Sequence, residues 1–116
     1  MPVESKRIIF VYGDGFWDFY NHQTLSVQNK IDWVIGLLGT IPIIPKKFIK
    51  HVEGTEGLYA IRIQVGSNIF RIFCFFDRNK LVILLNGFQK KSEKIPKSMI
   101  DKALRLKFKY YEEREK

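Results

Sequence analysis

The stretch Tyr59-Ala60-Ile61-Arg62-Ile63-Gln64-Val65, Gly66-Ser67, Asn68-Ile69-Phe70-Arg71-Ile72-Phe73-Cys74-Phe75-Phe76 decides the fold. Its apolar residues alternate: Tyr59, Ile61, Ile63 and Val65 share one face, then Phe70, Ile72, Cys74 and Phe76 share another. A period of two over such lengths is the signature of strands. Gly66-Ser67 suits a two-residue hairpin loop with glycine first, which pairs Val65 with Asn68. That register sets Tyr59 opposite Cys74 and Ile61 opposite Ile72, and it sets Arg62 directly opposite Arg71 on the face turned away from the core. The next turn falls in Asp77-Arg78-Asn79-Lys80, followed by Leu81, Ile83 and Leu85 in alternation. With Arg78-Asn79 as a two-residue loop, Cys74 faces Ile83, Ile72 faces Leu85 and Arg71 faces Asn86. The expectation is a three-stranded antiparallel meander with one face buried, broken at Gly87.

On the N-terminal side, Lys6 to Tyr12 reads as a strand ended by Gly13-Asp14-Gly15, and Phe16, Trp17, Phe19 and Tyr20 as a short aromatic helical segment. From Leu25, the residues Val27, Ile31, Val34, Ile35 and Leu38 fall at helical spacing. Gly39 ends that helix, and Pro42 and Pro45 keep it from resuming. Lys46 to Val52 is ambiguous, a basic connection or a helical turn. After the meander, a basic loop from Gln89 to Lys94 leads to Pro96, well placed in the first turn of a final helix. Its apolar stripe is Ile100, Ala103, Leu104, Phe108 and Tyr111. The expected fold class is α/β in the α+β sense, one domain over residues 1–116: an N-terminal strand and helices, the meander and a C-terminal helix.

Composition narrows the partners. Twenty Lys and Arg stand against twelve Asp and Glu, a net charge of +8. Between Ile44 and Tyr110 there are fifteen basic and five acidic residues, so the excess is concentrated in the second half. Concentrated positive charge on a small domain is a footprint for a polyanion. One cysteine, Cys74, excludes an intrachain disulfide and any multi-cysteine zinc site, and its apolar surroundings make it a buried hydrophobe. His22 and His51 fit no metal spacing, and Asp14, Asp18 and Asp32 look like cap or surface residues. A two-metal nuclease lacks its carboxylates, so no metal and no cofactor are expected. No run approaches a membrane span and no charged-then-apolar leader opens the chain, which makes a cytoplasmic protein the expectation.

Two arginines directly across a strand pair repel by about 0.2–1 kcal/mol relative to neutral neighbours. They are either solvated charges on an open face or a seat where two planar guanidiniums grip phosphate. Asn86, Phe88, Lys90, Lys91, Lys94 and Lys97 follow on the same edge, with Glu93 the one carboxylate in the run. Lys46, Lys47 and Lys50 extend the rim. Phe88 is either a stacking platform for a base or a core residue closing the strand.

The segments Gly57-Leu58-Tyr59-Ala60-Ile61-Arg62, Phe70-Arg71-Ile72-Phe73 and Leu84-Leu85-Asn86-Gly87-Phe88-Gln89-Lys90-Lys91-Ser92-Glu93-Lys94-Ile95-Pro96 resemble the phage-derived, HigB-like branch of the RelE/ParE toxin superfamily. The likeness covers roughly residues 45 to 111. It implies the toxin of a type II toxin–antitoxin pair, a ribosome-dependent and metal-independent mRNA endoribonuclease, with a co-encoded antitoxin, often a helix-turn-helix protein, as partner. By motif position, Arg62, Arg71, Lys90 and Lys91 would be the catalytic group. Lys94, Lys97, Phe88, Asn86, Lys47 and Lys50 would contact RNA. A ParE-like gyrase poison shares the fold, and an inactive relative that only binds RNA or antitoxin is the third reading. The family commonly carries Glu two residues before the first arginine, where this chain has Ala60.

Overall fold

The computed structural model describes residues 6–114, arranged as a five-stranded sheet with helices on both faces. In chain order the elements are β1 (Ile8–Val11), α1 (Gly15–Asn21), α2 (Leu25–Thr40), β2 (Ile49–His51), β3 (Tyr59–Val65), β4 (Asn68–Asp77), β5 (Leu81–Gln89) and α3 (Lys97–Arg114). The sheet order is β1-β5-β4-β3-β2, with β1 parallel to β5 and every other pair antiparallel.

The expected strands and helices are present, and the β3–β4 register is as read: Val65 pairs with Asn68, Tyr59 with Cys74, Ile61 with Ile72 and Arg62 with Arg71. The ambiguous basic segment ends in a short strand, β2, on the outer edge of β3. Helix α2 runs one residue beyond Gly39; Arg7 caps its C-terminus, donating to the carbonyls of Leu38, Ile41 and Pro42 at 2.8–2.9 Å.

Three expectations change. First, both faces of the sheet are buried. Ile61, Ile63, Phe70, Ile72, Cys74, Val82 and Leu84 pack under α1 and α2. Ala60, Phe73, Phe75, Ile83, Leu85 and Phe88 pack under α3 with Ala103 and Tyr110. Second, the β4–β5 register is shifted. The turn takes three residues, with Arg78 and Asn79 at positive φ (59° and 68°), so Asp77 pairs with Leu81 and Cys74 with Leu84. A bulge then sets Phe73 against two residues, after which Ile72 pairs with Gly87 and Arg71 with Phe88, not with Asn86. A one-residue slip normally exposes a core. Here Leu81-Val82-Ile83-Leu84-Leu85 is apolar at every position, so either parity buries it. Third, Phe108 is exposed and Tyr110 takes the buried place on α3.

Gly87 does not break the strand. β5 continues through it to Gln89, because Phe19 of α1 lies flat on it: a Cβ there would come within 2.6 Å of the Phe19 ring. The close approach of a ring to backbone is what requires glycine. Asp77 ends β4 nearly buried, accepting from the Tyr110 hydroxyl at 2.8 Å and lying 3.3 Å from Arg114. Cys74 is fully buried, and that burial pushes its thiol far above the usual range, leaving a packing residue.

Candidate RNA-binding site

Strand alternation carries Lys50, Ala60 and Phe73 across the sheet in one row on the α3 face. The next row is Arg62, Arg71 and Phe88. Helix α3 covers the Phe73 and Phe75 side and leaves the arginine row at the edge of its cover. A cavity of about 370 Å³ opens there, with Ala60 in its floor, Arg71, Lys50 and Lys94 in its walls, Glu53 and Glu93 at its rim, and Ile95 and Ile100 closing the α3 side.

Arg71 is the centre of this arrangement. Burial, and then the facing charge of Arg62, pull its pKa below the ordinary arginine value. Its Nε is buried without a hydrogen-bond partner among the described residues. Among the described residues neither arginine forms a salt bridge, and neither do Lys50 and Lys94. An N–H buried without an acceptor costs about 1–3 kcal/mol. Adding the cross-strand repulsion, the fold holds a cationic group in a state that a bound anion would relieve.

The remaining candidates are distributed around this centre. Lys90 and Lys91 line an adjoining hollow of about 240 Å³ with Ser67, Asn68 and Ile69. Their loop is tied to β4 by the Lys90 amide donating to the Ile69 carbonyl at 2.7 Å, and Lys90 Nζ is 4.0 Å from Glu93. Arg62 and Lys47 line a third hollow, beyond the end of β2. Lys97 is exposed and paired with Asp101 at 3.1 Å. Phe88 sits on the arginine row but is 9% exposed and packs against Phe73, centroids 5.5 Å apart, which places its ring in the core. Asn86 lies elsewhere: it is 3% exposed, packed against Gly15, and borders a different hollow with α1.

Two features escaped the sequence. Glu53 reaches the cavity from the β2–β3 loop, which no periodicity positions. The second is Trp33 on α2, 53% exposed in the hollow of Arg62 and Lys47. A tryptophan lying off the helix's buried stripe was the available signal. His51 contributes to the cavity wall, but its ring stands edge-on to Tyr59, 5.4 Å away, and Tyr59 packs with the core under α2. Its imidazole therefore turns to the face opposite Arg71.

A small five-stranded sheet with two helices on one face and one on the other is a RelE-like fold. The chain is similar to a chain of the RelB–RelE antitoxin–toxin complex from Methanococcus jannaschii, at a TM-score of 0.55 and 19% identity over 75% of this chain and 99% of that one. It is likewise similar to a chain of the archaeal RelE–RelB complex from Pyrococcus horikoshii OT3, at a TM-score of 0.52 and 14% identity over 72% and 94%. The family model described as "Phage derived protein Gp49-like" matches residues 19–107, and the chain belongs to that family. No curated protein matches it in sequence.

Proposed function

We propose that this chain is the toxin of a type II toxin–antitoxin pair, HigB-like in its site, and that it cuts mRNA on the ribosome without needing a metal. The observation that carries the reading is Arg71: a half-buried guanidinium with an unpartnered Nε, opposed by Arg62 and flanked by Lys50 and Lys94. In RNA cleavage of this kind the 2′-hydroxyl loses its proton and attacks the adjacent phosphorus. The 5′-oxygen leaves and takes up a proton from a neighbouring lysine ammonium or from water, giving a cyclic phosphate and a 5′-hydroxyl. Negative charge grows on the phosphoryl oxygens, where preset cations act most strongly. Arg71 and Arg62 are the phosphate clamp, and Lys90 and Lys91 meet the strand on the adjoining side. Lys94 and Lys50 hold flanking phosphates.

Ala60 supplies no proton acceptor. Glu53 and Glu93 are the carboxylates bordering the same cavity. Glu93 is within 4.0 Å of Lys90, whereas Glu53 has no ion pair among the described residues, so Glu53 is the candidate for accepting the 2′-hydroxyl proton. The likeness to antitoxin–toxin complexes supports a cognate antitoxin as partner; that this antitoxin is of the helix-turn-helix kind rests on the HigB-like sequence resemblance alone. Induced expression without antitoxin is expected to arrest growth and translation, and Arg71→Ala to relieve the arrest at equal abundance. Undiminished toxicity of Arg71→Ala would overturn the site. Wild-type protein that leaves growth and translation untouched, yet binds antitoxin, would show an inactive relative.

A further inference from the structure

We infer that the hollow beyond the end of β2 is a base-stacking subsite for single-stranded RNA, with Trp33 as its platform. The inference rests on the RNA reading above and extends it to a surface outside the Arg71 cavity. Helix α2 buries Val27, Ile31, Val34 and Leu38, yet leaves the indole of Trp33 half exposed on another side. Trp33 stands edge-on to Phe48, centroids 5.7 Å apart. Lys30 Nζ lies 5.1 Å from the centre of the Trp33 ring, and Lys47 Nζ lies 5.1 Å from that of Phe48. Arg62 joins them in a hollow of about 320 Å³, at the lower end of the range for small-ligand pockets.

Cations resting on exposed rings are worth about 0.5–1 kcal/mol, enough to position the lysines but not to explain why an indole is left in water. Among the described residues no carboxylate lines the hollow. The nearest in sequence, Asp32, accepts from the Tyr20 hydroxyl at 2.9 Å. An aromatic face with three cations and no acid matches a nucleobase with its flanking phosphates. The hollow also neighbours the Arg71 cavity through the cross-strand arginine pair. Arg62 lines it, and directly opposite Arg62 is Arg71 in the main cavity. A strand laid across the sheet edge would place one phosphate between the arginines and a neighbouring base on Trp33. That adjacency favours RNA over an acidic protein segment.

The test uses the full chain and two labelled probes, a 2′-O-methyl oligoadenylate pentamer and the same backbone without bases, at fixed salt. Trp33→Ala is expected to weaken the pentamer by about 5- to 150-fold and leave the abasic strand unchanged. Trp33→Leu, which keeps apolar cover over α2, should weaken it similarly, and Trp33→Phe should stay within a few-fold of wild type. Lys30→Gln with Lys47→Gln should weaken both probes and lower the salt slope by roughly 1.4. Wild-type affinity of Trp33→Ala and Trp33→Leu for the pentamer would overturn the inference and leave the patch to a protein partner; so would an equal loss on the abasic strand. If the Trp33 effect holds while wild type leaves ribosome-bound mRNA intact, the subsite stands and the nuclease reading fails. If cleavage persists and Trp33 proves indifferent, the subsite alone fails.

Discussion

Replacing Arg71 by methionine is expected to make the protein more stable and weaker at holding phosphate. Methionine keeps an unbranched apolar stem over the sheet and deletes the charged head. Two costs disappear with that head: the repulsion across the strand pair, about 0.2–1 kcal/mol, and the buried unpartnered Nε, about 1–3 kcal/mol. The guanidinium is part exposed, so solvent already screens some of this, and a net gain of about 1 kcal/mol is the working figure. For a domain near this size that raises the melting midpoint by roughly 4 °C or more. Raising the pH does not substitute for the mutation. A basic group with a lowered folded pKa destabilises the fold wherever it is protonated, and arginine stays protonated across the whole accessible range. Thermal melting with and without the oligoadenylate probe reads both effects: the probe should raise the midpoint of Arg71→Met by less than it raises that of wild type. A midpoint that falls on Arg71→Met would refute the reasoning, because it would mean that attractive contacts, not a strained vacancy, hold the side chain.

Gly87→Ala should destabilise by about 1–3 kcal/mol in urea unfolding, since its methyl would collide with the Phe19 ring; an unchanged midpoint would show that α1 can lift away without loss. Asp77→Ala strands the Tyr110 hydroxyl and the Arg114 charge at the sheet end. It should cost about 1–3 kcal/mol, a loss that Tyr110→Phe in the same chain partly reduces in a double-mutant cycle. Tyr12 is raised to about 12 by burial, by its hydrogen bond to Glu113 and by the charges of Glu113 and Glu112. Its neutral form is thus favoured in the fold, so its contribution is complete below pH 10 and lost as pH climbs from 10 towards 12. Tyr12→Phe should remove that share of the alkaline loss, and an identical alkaline limb in both chains would contradict it.

The arginine pair was legible because Gly66-Ser67 fixes one hairpin register and the flanking residues alternate cleanly. The β4–β5 register was not, because a strand buried on both faces carries no alternation and the turn hides an extra residue at positive φ. Asn86 was drawn into the site by that false register, and the bulge moved Phe88 into its place. Lys50 and Lys94 could be named from charge alone, but Glu53 could not: a loop residue meets the cavity only through tertiary folding. The parallel pairing of β1 with β5 joins strands some seventy residues apart in the chain, and no local pattern encodes it.

Arg71 is proposed to centre a metal-free cationic seat that cuts mRNA in translating ribosomes. The most direct measurement maps the 5′ ends of mRNA in a purified translation system, with wild type or Arg71→Ala added at equal concentration. New ends with 5′-hydroxyls, appearing only on ribosome-engaged message and lost with Arg71→Ala, are the predicted result. Intact message with folded wild-type protein, or the same ends with both chains, would contradict it.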